Sequence, residues 1–176
     1  MKTLDIVLSP DPGLRSVCDP CEVGDKSLIS LADQMAATMY ANGGCGLAAP
    51  QVGINKRFIV VDCEDPENDP NPIFLVNPEI IELSGKPVKE DEGCLSCPGI
   101  AVPISRKPIA KVRYFDLQGN ECVIESGDLL GRCLQHEIDH LDGRTLFESC
   151  SAIDRLKALH DYHEALARGA KPGQTS

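Results

Sequence analysis

The sequence predicts a single α+β domain, in which antiparallel β-sheets pack around a central helix and a further helix follows at the C-terminus. The length of 176 residues is typical of one domain. A hydrophobic content of 42% is enough for a globular core. The extended segments cluster ahead of the second helix, whereas a doubly wound parallel sheet would alternate strands and helices. We expect residues 1–168 to form the domain, and the small, polar residues 169–176 to form a flexible tail.

Three segments have the apolar spacing of amphipathic helices. The first covers residues 27–41, with Leu and Met at steps of three and four, and stops at Asn42. The second, the central helix, covers residues 127–141 after Ser126 as a predicted N-cap. The third covers residues 152–168, behind a capping box that begins at Ser151. Its apolar side, the side that normally faces a core, consists of Ile153, Leu156, Leu159 and Leu166.

The strands are predicted from β-branched content and from turn residues between extended segments. The last two flank the sequence Gln-Gly-Asn, which is a hairpin signal. Pro78 is expected to interrupt the second of the four segments. The predicted strands are residues 57–63, 73–83, 110–116 and 121–125.

Composition excludes several classes of function. The formal net charge is -10, and aromatic residues make up 4% with no Trp, so nucleic-acid binding is not expected to be the main function. The sequence has no apolar run of 18 residues and no visible signal peptide. Nine cysteines without a secretory signal favour a reducing cytoplasmic location, where thiols are core residues, metal ligands or reactive groups. Of these, Cys63, Cys122 and Cys150 are predicted to be small buried residues.

The sequence His-Glu-Ile-Asp-His at positions 136–140 predicts a metal site on the central helix. His136 and His140 are four residues apart and share one helix face, so both imidazoles can bind one ion. Glu137 is placed to reach a water molecule at that ion. Cys133, one turn earlier, is expected to point to the same side and to line a pocket.

A catalytic metal needs a third protein ligand and an open position. Cys94, in the sequence Glu-Gly-Cys-Leu-Ser, is one candidate. The other candidates lie on the last helix, and they would make the protein a zinc endopeptidase: His160, His163 and Glu164. A non-catalytic domain with a structural metal is a third possibility. The residues alone leave these alternatives open.

Three ordered motifs together resemble the signature of the peptide deformylases. They are GCGLAAPQ at residues 44–51, EGCLS at residues 92–96 and HEIDH at residues 136–140, and the resemblance covers nearly the whole chain. It implies a metal-dependent hydrolase that removes the N-formyl group from the formyl-methionine of nascent chains. Cys45 departs from the branched aliphatic residue that the family often has at this position.

The resemblance also implies roles for individual residues. Cys94, His136 and His140 would bind one Fe²⁺ ion, for which Ni²⁺, Co²⁺ or Zn²⁺ can substitute. Glu137 would be the general acid and base, while Gln51 and the Leu95 N–H would stabilise the oxyanion. The last helix, with four basic and three acidic residues from 154 to 171, would contact the ribosome. The residues expected to hold the substrate and its methionine side chain are Gly44, Cys45, Gly46, Leu129 and Cys133.

Overall fold

The computed structural model describes residues 2–174, and within them the α+β class is confirmed. The helices are α1 (Ser27–Ala41), α2 (Asp128–Leu141), α3 (Leu146–Ser149) and α4 (Ala152–Ala167). The strands are β1 (Gly46–Ala48), β2 (Phe58–Val61), β3 (Ile73–Ser84), β4 (Val88–Glu92), β5 (Val102–Arg106), β6 (Ile109–Phe115) and β7 (Glu121–Ser126). Among the described residues, no helix is both long and apolar enough to cross a membrane.

A five-stranded antiparallel sheet lies between helices α1 and α2. Its strand order is β1-β2-β3-β6-β7, and β4 and β5 form a separate two-stranded sheet. Side chains alternate across β2: Phe58 and Val60 pack with α1, while Ile59 and Val61 pack with α2. The sheet therefore holds α2 against β1 and β2, which places the motif helix in the middle of the molecule.

The N-terminus of α2 differs from the prediction. Ser126 ends β7 instead of capping the helix, and Gly127 takes the N-cap position without a side-chain hydrogen bond. Gly131 in the first turn explains how strand and helix can follow so closely. A Cβ on Gly131 would meet the carbonyl oxygens of Ser126 at 2.5 Å and of Pro108 at 2.6 Å.

Pro78 does not end the strand in which it lies. β3 runs through it to Ser84 and absorbs the irregularity as a register shift after Val76. Asn77 takes a positive φ of 50° there, and its side chain bonds the backbone N–H and carbonyl of Cys21 at 2.8 and 2.9 Å. The side-chain amide thus replaces the ladder bonds that the bulge removes.

The apolar side predicted for the last helix is wrong. Ile153 is 82% exposed and Leu156 is 72% exposed, and α4 instead buries Ala158, Tyr162 and Ala165. Small residues let this face approach its neighbours closely, and the Tyr162 hydroxyl donates to the Ser9 carbonyl at 2.7 Å. The helix packs by small residues and one hydrogen-bonded ring, which a count of large apolar residues does not detect.

Three strands, β1, β4 and β5, were not predicted, and the burial of three cysteines also differs from expectation. β1 has only three residues, β4 has the sequence VKEDE without apolar alternation, and β5 contains Pro103. Cys63, Cys122 and Cys150 are half-buried rather than buried. The predicted tail contacts the domain, because the Gln174 carbonyl accepts a hydrogen bond from the Gly99 N–H at 2.8 Å. Residues 175 and 176 lie outside the described residues.

Candidate active site

Two elements bring a thiol and two imidazoles together. His136 and His140 project from one face of α2, and Cys94 lies in the loop between β4 and β5. Their ligand atoms all lie within 4.8 Å of one another. The Cys94 Sγ is 3.4 Å from the His140 Nε2. One thiolate and two imidazoles are a donor set typical of a transition-metal site, and these three side chains fit one.

Glu92 holds His136 in place. Its carboxylate is 2.9 Å from the His136 Nδ1, which leaves the Nε2 directed to the Cys94 side. Arg106 binds both oxygens of the same carboxylate, at 2.6 and 2.9 Å, and Arg132 binds one at 2.7 Å. Such carboxylate–imidazole contacts fix the ring orientation and the tautomer of a metal-binding histidine.

The charges around Glu92 keep it ionised. Burial acts to raise the pKa of Glu92, but hydrogen bonds with His136 and Arg106 lower it to about 2. A buried carboxylate is stabilised in this way only when its partners stay in place. Glu92 is therefore an ionised carboxylate that orients the imidazole of His136 and is itself held by two arginines.

Glu137 has the opposite environment. It is 4% exposed, its Oε1 lies 3.9 Å from the His136 Nε2, and burial raises its pKa to about 8. Within residues 2–174, the buried side-chain oxygens and nitrogens that lack a hydrogen-bond partner are the Glu137 Oε2 and the His140 Nδ1. A carboxyl group that can carry its proton near neutral pH, with a free oxygen beside the candidate ligands, is suited to proton transfer.

Gln51 reaches the same centre from the other side. It lies in a 3₁₀ turn, Ala49–Val52, directly after β1. Its Oε1 accepts from the Ala48 N–H at 2.9 Å, which fixes the orientation of the amide. Its Nε2 then points to the Cys94 Sγ at 3.5 Å and the Ser96 Oγ at 3.2 Å. Gln51 is thus an oriented hydrogen-bond donor beside the candidate metal ligand.

A cavity of about 250 Å³ opens next to these residues, between β1 and α2. Leu129 is 53% exposed at its mouth, while Cys133 is buried. Gln51 and His140 lie outside its lining. The predicted site residues that line it are Gly44, Cys45, Gly46, Cys94, Leu95, Leu129, Cys133, His136 and Glu137.

Glycine at position 46 sets how closely β1 approaches α2. A Cβ there would lie 2.6 Å from the Glu137 Oε1 and 2.7 Å from the Cys133 Sγ. Gly44 has a similar relation to Leu95, whose Cδ1 a Cβ would meet at 2.9 Å. The glycines of the first motif therefore let the chain lie close to Leu95 and to the Glu137 carboxyl group.

The sequence reasoning missed Glu92 and Arg106. Glu92 belongs to the EGCLS motif, so the motif itself was the signal that could have found it. Arg106 carries no such signal, because its importance comes from the pairing of β4 with β5. The tail residues Gly173 and Gln174 also line the cavity, which composition alone did not indicate.

The last helix does not supply a ligand to the centre in this structure. His160 is 3.4 Å from Glu164, and their side chains are 71% and 53% exposed. With Asp161 they form a separate group on the surface of α4. Cys94, and not a residue of the last helix, lies beside the histidine pair.

A protein family and individual relatives that are similar to this chain have the same name, peptide or polypeptide deformylase. The family described as polypeptide deformylase matches residues 3–156. A peptide deformylase of Hydrogenovibrio crunogenus is 44% identical over 170 residues, which cover 97% of this chain and 99% of the relative. One from Bartonella quintana is 45% identical over 157 residues, or 89% of each chain.

Solved structures give the same result. A crystal structure of a peptide deformylase from Legionella pneumophila matches with a TM-score of 0.86 and 36% identity, covering 97% of this chain and 99% of that one. A peptide deformylase from Ehrlichia chaffeensis, in complex with actinonin, matches with a TM-score of 0.85 and 40% identity, covering 93% and 98%.

Proposed function

Because this chain belongs to the polypeptide deformylase family, we propose that the cavity between β1 and α2 is its active site. The protein is an enzyme, a metal-dependent hydrolase that removes the N-formyl group from the formyl-methionine of newly synthesised polypeptides and releases formate. The observation that carries the assignment of the site is the convergence of Cys94, His136 and His140 within 4.8 Å, beside the buried carboxyl group of Glu137.

Cys94, His136 and His140 hold the metal, and Glu92 keeps the first imidazole in its binding orientation. The resident ion is one Fe²⁺ per chain, with Ni²⁺, Co²⁺ or Zn²⁺ as substitutes. The support for iron is the likeness of the three motifs to the family, since a cysteine with two histidines is also an ordinary zinc set. When bound, the ion supplies a Lewis acid that activates water and polarises the formyl carbonyl.

The remaining chemistry belongs to side chains and backbone groups of this chain. Glu137 accepts the proton of the attacking water and later delivers it to the leaving amine. Its pKa, which burial raises to about 8, suits both halves of this exchange. Gln51 and the Leu95 N–H donate to the oxyanion that develops on the formyl oxygen, where preorganised donors have their largest effect.

The substrate lies along β1. This strand is at the edge of the five-stranded sheet and pairs with β2 on one side, so its other side can accept a peptide as an added strand. Gly44 and Gly46 allow a close backbone approach. The methionine side chain, which is flexible and polarizable, enters the space between Cys45, Leu129 and Cys133.

Formate release tests this assignment directly. Protein reconstituted anaerobically with Fe²⁺ or Ni²⁺ should release formate from a formyl-methionyl peptide, and the metal-free protein should not. The metal content of each sample is measured on the same day by elemental analysis. A protein that carries one ion per chain and releases no formate would overturn the proposed site.

The location and the ribosome contact follow from the substrate. Nascent formyl-methionyl chains emerge in the cytoplasm, and the nine free thiols fit that reducing compartment. Helix α4 and the residue that follows it contact the ribosome through exposed basic side chains, among them Lys157 and Arg168. Replacing both with Gln should reduce co-sedimentation with ribosomes, whereas Lys86→Gln, at an exposed site elsewhere, should not. Equal co-sedimentation of the two variants would contradict the contact.

Residues 1–168 act as one catalytic domain, followed by a flexible tail of which the structure describes residues 169–174. The small and polar residues of the tail supply few apolar contacts of their own. Limited proteolysis should remove the tail before any other segment. Cleavage inside the domain at the same rate would contradict this division.

A further inference from the structure

Three cysteines form a second cluster beside the proposed active site. They are Cys45, Cys63 and Cys133, and their sulfur atoms all lie within 4.8 Å of one another. None of the three belongs to the ligand set assigned above. The proposed reaction uses Cys45 and Cys133 only as pocket walls and does not use Cys63 at all.

The fold brings the three thiols together from separate parts of the chain. Cys45 directly precedes β1, and Cys63 lies two residues after the end of β2. The pairing of these strands continues past their ends, because the Asp62 N–H donates to the Cys45 carbonyl at 2.9 Å. Cys133 lies on α2, which packs on both strands, and its Sγ lies 3.9 Å from the Cys45 Sγ.

These distances suit a metal ion bound by thiolates. Metal–sulfur bonds of about 2.3 Å place the sulfurs of a planar three-ligand site about 4.0 Å apart, and those of a tetrahedral site about 3.8 Å apart. The observed separation of 3.9 Å between Cys45 and Cys133 falls between these values. A disulfide would use two of the three thiols and would not explain why the third lies beside them.

Charge and access also fit a cation. Hydrogen bonds from Cys133 and Cys63 lower the pKa of Cys45, whereas the pKa values of Cys63 and Cys133 themselves are raised, so the cluster favours one thiolate beside two thiols. The Glu137 carboxyl group lies close by, since a Cβ on Gly46 would approach both its Oε1 and the Cys133 Sγ. Cys45 and Cys133 line the cavity, so an ion can enter from solvent through the substrate pocket.

We propose that Cys45, Cys63 and Cys133 form a second metal site, selective for a soft, thiophilic cation such as Cu⁺, whose occupation blocks the methionine pocket. Thiolates select such ions over the harder ones that carboxylates and water prefer. An ion held by Cys45 and Cys133 would occupy the volume assigned to the substrate side chain. The blocking part of this inference rests on the proposed function, whereas the binding part does not.

The test uses protein loaded with Ni²⁺ at the catalytic centre and titrated anaerobically with Cu⁺ from a chelator-buffered solution. Copper and nickel per chain are measured after desalting, and formate release is measured on the same samples. The wild type should bind one Cu⁺ per chain, keep its nickel and lose at least tenfold in rate. Cys122→Ala, which removes a half-buried thiol outside the cluster, should behave identically.

Cys63→Ala is the decisive variant, because Cys63 lies outside the proposed catalytic and substrate-binding residues. It should bind Cu⁺ at least tenfold more weakly and keep its rate in the presence of copper. Cys63→Ser serves if the alanine variant does not fold. Unchanged copper binding in this variant, copper uptake matched by nickel loss, or a mass decrease from disulfide formation would each overturn the proposal. If no sample releases formate, the proposed function fails, but the copper stoichiometry still decides the cluster.

Discussion

Helices α2 and α4 each carry two histidines and a glutamate, and their environments differ completely. On α2 all three side chains are buried, and one of the imidazoles is held by a carboxylate that two arginines bind in turn. On α4 all three are exposed, and His160 pairs with Glu164 on the same helix. The comparison shows that residue types and spacing identify side chains that share a face. Burial and supporting contacts decide whether that face can act as a metal site.

The apolar residues of the two helices show the same contrast. The stripe of α2, with Leu134, Ile138 and Leu141, is buried against the sheet, while the stripe of α4 faces solvent. Both stripes have spacings that place their residues on one side of a helix. Periodicity therefore predicts a helix, but the direction of its apolar face depends on what the rest of the chain presents to it.

Removing the proposed proton-transfer group should have the largest effect on the α2 site. Glu137→Gln keeps the shape of the side chain but cannot exchange a proton, so turnover should fall by about two to four orders of magnitude. The metal content should stay close to that of the wild type, because Glu137 is not assigned as a ligand. Parallel measurements of turnover and metal content check this. Loss of the metal would show that Glu137 coordinates it.

Weakening the support of His136 should have an intermediate effect. Glu92→Gln removes the charge that orients the imidazole, and loss of such a contact typically costs about 10- to 100-fold in metal affinity. Glu90→Gln is the matched control. Glu90 lies on β4 like Glu92, and it is an exposed partner of Arg132 at 3.3 Å. Competition with a metal chelator measures both affinities. Equal affinities would mean that Glu92 has no orienting role.

Filling the pocket should affect one substrate more than another. Cys133→Phe places a ring in the assigned methionine pocket, so kcat/KM for formyl-methionyl peptides should fall at least tenfold, about 1.4 kcal/mol. A formyl-alanyl peptide should lose less, because it does not use the filled volume. An equal loss for the two peptides would refute the pocket assignment.

The smallest effect is expected on α4. His160→Ala combined with Glu164→Gln removes an exposed pair, so metal content and turnover should not change, and the free energy of unfolding should shift by no more than about 0.5 kcal/mol. Chemical denaturation and elemental analysis check both quantities. A loss of metal in this variant would show that the last helix supplies a metal ligand.

The parts that the sequence predicted depend on local pattern. The bounds of α1, the cap of α4 at Ser151 and the hairpin of β6 and β7 follow from residues close together in the chain. The motif on α2 likewise needs only helical spacing. These features are local, so no knowledge of the tertiary structure is needed to find them.

The parts that were missed depend on distant contacts. Arg106 matters because β4 and β5 pair and bring it to Glu92, and the cluster of Cys45, Cys63 and Cys133 exists only after β1, β2 and α2 have packed. The burial of Tyr162 depends in the same way on Ser9, at the other end of the chain. No local spacing rule contains this information.

Metal stoichiometry in Cys94→Ala tests the contrast between the two helices most directly. Under anaerobic dialysis against Ni²⁺, the wild type, His163→Ala and Cys122→Ala should each hold one ion per chain, because none of them alters the ligand set on α2 and its neighbouring loop. Cys94→Ala should hold much less than one. Full occupancy in Cys94→Ala, together with a loss of metal in His163→Ala, would contradict the account and place the third ligand on α4.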